Sequence, residues 1–182
     1  MPYCSNLRYR RAQLQRINGP EWHGLIDELT QWGLRTTLRQ WLSWRDQGLD
    51  TCLAFNISAL SLDQLDFPDL VERMCRALEV PTDRLVLELT EGATQPLVKL
   101  MDTLTRFRIK GIGLAIDDFG VGYSTLMQLR QLPFTEIKID RFFVDDAPTS
   151  KDSALIVKSI IDLAHVHRPQ APAIPRRDQG RV

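Results

Sequence analysis

The sequence is poor in cysteine and has no long apolar run, and each absence excludes a class of protein. Its three cysteines, Cys4, Cys52 and Cys75, are widely separated and form no CxxC pair, which argues against a structural zinc site or a disulfide framework. No apolar stretch reaches the roughly 18 residues that a membrane-spanning helix needs. Arg8 and Arg10 precede no hydrophobic segment of the kind found in secretory signals. We therefore expect a cytoplasmic protein with no membrane partner.

An excess of either charge is also lacking, since 23 basic residues balance 23 acidic ones. The charges are segregated, however. Residues 1–18 contain four arginines and no acid, and residues 168–182 contain four arginines and three prolines. We interpret the first as a basic N-terminal arm and the second as a disordered tail, because closely spaced prolines block helices and central strands. The domain between them, residues 19–167, is acidic, so a nucleic acid polymer is not expected as a partner.

Within this domain, apolar strands alternate with amphipathic helices. The segments predicted as strands are TCLAFNIS, RLVLELT, IGLAIDD and EIKID. Two helices that meet at Gly33 are expected before the first strand, and further helices are expected to begin near Asp66 and Thr94. A short helix should follow around residues 126–129, and a last one should bury Leu155, Ile156, Ile160 and Leu163. Such alternation is typical of parallel βα units with right-handed crossovers.

The two faces of the predicted strands differ. One face is large and apolar throughout, whereas the other begins with small residues and becomes polar near the carboxyl end of each strand. An open sheet with helices on both sides would need two apolar faces. We therefore favour an α/β fold of about four parallel strands with outer helices, a partial TIM-barrel-like arrangement, over a doubly wound sheet.

Polar residues near the strand ends are the candidates for chemistry: Asn56, Glu88, Asp117 and Lys138 occupy matching places in four successive units, and Asp118 follows directly. Carboxylate and amide oxygens suit a hard divalent cation such as Mg²⁺ or Mn²⁺. A lysine can orient a water or balance phosphate charge. Each residue alone also has a structural interpretation: a turn asparagine, a helix-capping aspartate pair and a solvated lysine. Their common register favours a functional site.

The run IDDFGVGYSTLMQLRQLPFTEIKIDRFFV closely resembles the signature of EAL-domain cyclic di-GMP phosphodiesterases. LVLELTE and FNIS resemble two further motifs of that family, and the resemblance extends over residues 20–165. It implies a modified TIM barrel that hydrolyses cyclic di-GMP to linear pGpG with two divalent metals, Mg²⁺ or Mn²⁺.

The resemblance also implies residue roles. The metal ligands would be Asn56, Glu88, Asp117 and Asp118. Lys138 would position or activate the attacking water, Glu91 would anchor the DFGVGYS loop, and Asp140 is an additional member of the site.

Two family motifs are absent from the chain. It contains no Glu-Ala-Leu sequence, and the segment after AHVHRPQ lacks the Ala-Glu-Gly-Val-Glu motif. The metal site is therefore expected to be incomplete and the 182-residue chain to be inactive. Two alternatives to an active phosphodiesterase remain. One is a non-catalytic module that binds a protein partner, a second copy of itself or cyclic di-GMP weakly; the other is a truncated gene product.

Overall fold

A computed structural model describes residues 20–90, 97–120 and 131–166 of the protein, and within these the side chains of residues 24–89, 97–120 and 131–165. The basic arm, the Pro/Arg-rich tail, Glu91, the Thr94 cap and the helix expected around residues 126–129 lie outside the described residues. The described strands are β1 (Leu53–Ile57), β2 (Leu85–Thr90), β3 (Gly113–Phe119) and β4 (Glu136–Ile139). The described α-helices are α1 (Pro20–Asp46), α2 (Phe67–Ala77), α3 (Leu97–Ile109), α4 (Arg141–Asp146) and α5 (Lys151–Val166).

The four strands form a single parallel sheet whose spatial order, β1-β2-β3-β4, follows the order of the chain. Helix α2 connects β1 to β2, and α3 connects β2 to β3. The prediction of four parallel strands with helices is therefore confirmed. All four strands begin within two residues of their expected positions, because each combines an apolar core with polar or glycine-containing ends.

The apolar face of the sheet carries the main core. Leu85, Leu87 and Leu89 of β2 are buried there, as are Leu53 and Leu114 on its neighbours. These side chains pack with buried residues from the first three helices, in a single cluster. The opposite face of β1 is open, since Ala54 and Asn56 are exposed. The expected difference between the two faces is thus present, and it leaves the polar face available for a site.

The two helices expected before β1 are in fact one, α1, which continues through Gly33. Glycine weakens a helix by about 1 kcal/mol relative to alanine but does not end it. Here a Cβ at position 33 would lie 3.0 Å from Cζ of Phe55. The glycine therefore lets the helix pass close to β1, and it is a packing position rather than a boundary.

Helix α2 begins where Asp66 and Pro68 predicted it, with Pro68 near the first turn. It is tied to the end of α3 by charged groups. The Lys110 ammonium lies 2.7 Å from a carboxylate oxygen of Asp69 and 2.5 Å from one of Glu72. Lys110 therefore joins two carboxylates of α2 to the segment that leads into β3.

Helix α5 buries less of its surface than its sequence predicts. Ile160 is buried and Leu163 is partly buried in a small second cluster with Ile116 and Phe119 of β3. Leu155 is 64% exposed and Ile156 is 37% exposed, so the expectation that both are buried is wrong. In the described part of the chain α5 contacts α4 and β4, and Leu155 remains largely exposed to solvent. None of the described helices is both long enough and apolar enough to cross a membrane.

Candidate functional site

The register of the sheet places polar residues in a row across its open face. Asn56 of β1 pairs with Glu88 of β2, Glu88 pairs with Ala115 of β3, and Ala115 pairs with Glu136 of β4. Asn56 and Glu88 are therefore neighbours, as their positions in the sequence predicted. Asp117 and Lys138 lie two residues further along their strands than this row, so the four candidates do not share one level. Strands in barrel-like sheets are staggered, and this accounts for the offset.

A β-bulge lies at the carboxyl end of β3. Ile116 pairs with Ile137 and Phe119 pairs with Ile139, so Asp117 and Asp118 together lie opposite one residue of β4, Lys138. Asp118 has a φ of +56°, in the left-handed region that residues other than glycine rarely adopt. A bulge interrupts the strict alternation that would send adjacent side chains to opposite faces. Both aspartates, which belong to the predicted site, are half-buried.

Glu88 is the buried charge of this region. Its side chain is only 5% exposed, and its carboxylate accepts a hydrogen bond from the Lys138 ammonium, with which it forms an ion pair. Ala115 lies between the two strands that carry them, and its small side chain leaves room for Lys138 to reach across β3. A buried carboxylate without a positive partner would be strongly destabilising, so Lys138 compensates a real cost. The structure thus brings together the predicted ligand Glu88 and the predicted water-positioning residue Lys138.

Glu136 belongs to the same group, although the sequence did not single it out. Partial loss of solvation at the first residue of β4 raises the pKa of the Glu136 carboxyl; the positive charge of Lys138 opposes that change and the negative charge of Glu88 adds to it. Glu136 and Lys138 are two residues apart on one strand, which places them on one face. This two-residue spacing could have identified Glu136 in the sequence. It was passed over because a charged residue at the start of a strand is more often exposed to solvent.

The remaining candidates are less closely gathered. Asn56 is exposed at the end of the row. Asp140 accepts a hydrogen bond from the backbone N–H of Phe142, 2.7 Å away, and is the N-cap of α4. This contact gives Asp140 a structural role that its inclusion in the site had not anticipated. Glu91, the expected loop anchor, lies outside the described residues.

The described donor set does not match the two divalent cations that the sequence resemblance implies. Among the side chains that the structure describes, no three acidic, histidine or cysteine residues are grouped closely enough to hold a metal ion. The most buried candidate ligand, Glu88, is already paired with Lys138. As arranged here, the described residues do not fit a two-metal centre.

Comparison with known proteins agrees with the sequence resemblance. The model of the EAL domain family matches residues 15–172. A curated relative from Pseudomonas aeruginosa, named as a cyclic di-GMP phosphodiesterase, is 32% identical over 165 residues. That match covers 87% of this chain but 28% of the relative, so the chain spans less than a third of that protein's length.

Solved structures show the same fold. The MucR phosphodiesterase in complex with cyclic di-GMP superposes with a TM-score of 0.72 at 35% identity, covering 80% of this chain and 60% of the other. A Klebsiella pneumoniae BlrP1 structure, described as a manganese and cyclic di-GMP complex, gives a TM-score of 0.69 at 26% identity, covering 84% and 38%. The four parallel strands with their helices therefore correspond to part of a TIM-barrel-like domain.

Proposed function

Because this chain belongs to the EAL domain family, we propose that it carries the central strands of a cyclic di-GMP site and does not itself hydrolyse the cyclic dinucleotide. The observation that carries the proposal is the ion pair between Glu88 and Lys138. A residue expected to bind metal and one expected to prepare the water neutralise one another, and no third acidic ligand joins them among the described residues. Hydrolysis with metals needs carboxylates that are available to the cations.

The residue roles that the family resemblance implies belong to a complete site, of which we propose that this chain carries only a part. Asn56, Glu88, Asp117 and Asp118 supply the oxygens on which divalent cations, Mg²⁺ or Mn²⁺, would be held. Lys138 would prepare the attacking water, and Glu91 would anchor the loop after β3. The location of such a chain is proposed to be the cytoplasm, where the thiols of Cys52 and Cys75 stay reduced.

The test is incubation of the purified chain with cyclic di-GMP and either Mg²⁺ or Mn²⁺, followed by chromatography of the nucleotide. We expect no linear pGpG. The matched variant is Glu88→Ala, which removes the buried candidate ligand. A metal-dependent linear product that this variant abolishes would show that the chain is an active phosphodiesterase and refute the proposal.

A second candidate function is binding without hydrolysis, by contact with another protein or with a second copy of the chain. Within the described residues, β1 and β4 have no strand on their outer sides, which favours it because an unpaired strand edge is a template for association. Leu155 of α5 and Phe142 of α4, which are 64% and 65% exposed, add apolar surface on the side of β4. Calorimetric titration with cyclic di-GMP distinguishes the two forms of binding: heat without product indicates a nucleotide-binding module, and no heat leaves association between proteins.

A further inference from the structure

Helix α1 carries an apolar stripe on the face that points away from the sheet. The opposite face packs inward: Leu34 and Leu38 are completely buried, and α1 contacts β1 and α2. Leu25, Leu29 and Trp32 are four and three residues apart, so they lie on one face of the helix. At about 100° per residue, Leu25 and Trp32 fall nearly opposite Leu34. The three side chains of the stripe are 55%, 51% and 62% exposed.

The stripe is not a piece of core that a further strand would cover. A strand added beside β1 would extend the sheet, and the sheet lies against the buried face of α1. The stripe would therefore stay on the outside of the fold. Single exposed apolar residues are ordinary, but a group that includes a tryptophan is typical of a surface that binds a partner. The stripe thus indicates a partner that approaches α1 from outside.

The charged residues beside the stripe indicate the nature of that partner. Glu28 lies toward the amino end of α1, and Arg35 and Arg39 lie toward its carboxyl end; all three are exposed. Helical spacing places them along one flank of the stripe. A second α1 in antiparallel orientation brings its arginines to the acidic end and its glutamate to the basic end. A parallel α1 would bring like charges together, which opposes binding.

We propose that α1 is a dimerisation surface, on which α1 of a second copy of this chain packs in antiparallel orientation. The two-fold axis lies between Gln31 and Trp32. Glu28 then lies opposite Arg35 of the second copy. Leu29 packs beside Trp32 of the second copy. One helix on another buries less than the roughly 800 Å² per partner of a standard interface, so we expect dissociation in the micromolar range. No strand-end residue takes part, so this inference goes beyond the proposed function.

Sedimentation velocity of the full chain at low ionic strength, over a range of micromolar concentrations, tests the proposal. We expect a monomer–dimer equilibrium that Trp32→Glu weakens at least tenfold, because each copy then places a carboxylate beside the axis. Trp32 is largely exposed, so this variant should fold, which circular dichroism checks. Val98→Glu is the matched control: the Val98 side chain is 82% exposed on α3, and the change should leave the equilibrium unaltered.

Charge reversal tests the orientation and does not depend on Trp32. Glu28→Arg and Arg35→Glu should each weaken the dimer several-fold, because each change brings like charges together twice in a two-fold pair. The double variant should restore the affinity. Failure of the double variant to recover affinity would overturn the antiparallel orientation.

Photo-cross-linking with benzoylphenylalanine in place of Leu29 locates the contact, even if the chain also associates through its strand edges. In a mixture of ordinary and isotope-labelled chains, cross-links between copies should reach Trp32 or Thr36. A monomer at all concentrations, an unchanged affinity in Trp32→Glu, or cross-links between copies confined to residues outside α1 would overturn the proposal.

Discussion

Replacing Gly120 with alanine is expected to destabilise the chain by about 2–4 kcal/mol. Gly120 follows the bulge of β3 directly and has a φ of +110°, which L-residues rarely adopt. That backbone conformation costs an alanine on the order of 1–3 kcal/mol. In addition, a Cβ at position 120 would lie 2.9 Å from Cε2 of Phe143 on α4. Overpacking of this kind costs about 1–3 kcal/mol, at the lower end here because Phe143 is only partly buried.

Urea unfolding, followed by circular dichroism, separates the two contributions with a matched glycine. Gly48 also has a positive φ, +79°, but nothing lies within 4 Å of where its Cβ would be. Gly48→Ala should therefore cost only the backbone part, about 1–2 kcal/mol. Adding Phe143→Leu to Gly120→Ala should restore part of the stability that Gly120→Ala loses beyond the loss caused by Gly48→Ala. A cost of Gly120→Ala no greater than that of Gly48→Ala would refute this prediction, since the contact with α4 would then be absent.

Three further predictions follow from the helices and the sheet edges. The hydrogen bond from Lys110 is the largest cause of the lowered pKa of Asp69 and of Glu72. Its contribution to stability is therefore present above the ordinary pKa values of these carboxyls, 3.8 and 4.5, and is lost as the pH falls below them. Lys110→Met should therefore lower the urea midpoint at about pH 7 and lower it less at about pH 3, and an equal loss at both would contradict this. Phe107→Ala, which removes a fully buried ring, should cost about 3–5 kcal/mol in the same assay, against less than about 0.5 kcal/mol for Val98→Ala, whose side chain is 82% exposed. Light scattering should show self-association through the outer edges of the described sheet, β1 and β4, whereas a monodisperse, cooperatively melting species of 20.9 kDa would refute it.

The sequence predicted the strands well because the signal for a strand is local. Leu85, Leu87 and Leu89 alternate with smaller or polar residues, and the chain folds as that alternation indicates. Gly33 was misinterpreted for the opposite reason. Its role is set by Phe55, which is distant in the sequence and close in space, so no local pattern could separate a packing glycine from a helix boundary.

The candidate site was predicted in part. The sequence placed Glu88 and Lys138 near strand ends, and the structure pairs them. It did not indicate that Asp117 lies beyond the row that contains Glu88, because the stagger of neighbouring strands and the bulge at Asp118 depend on pairing with β4. Glu136 was overlooked since its environment is made by other strands. The sequence predicts which residue types are present and on which face of a strand each lies. How far along the sheet a residue lies relative to those on neighbouring strands, and which charges surround it, depend on the assembled sheet.

The order of the sheet has a consequence for how the chain assembles during synthesis. Each strand pairs with the strand translated just before it. The partner of β2 has therefore already been synthesised when β2 leaves the ribosome, and the same holds for β3 and β4. The segments between paired strands, residues 58–84, 91–112 and 120–135, are short, which keeps the entropic cost of closing each one similar and modest. No strand among the described residues has to wait, unpaired, for a distant partner. The sheet can therefore grow from one edge in the direction of translation. At each step the most recently added strand is the one whose outer edge is available for the next pairing.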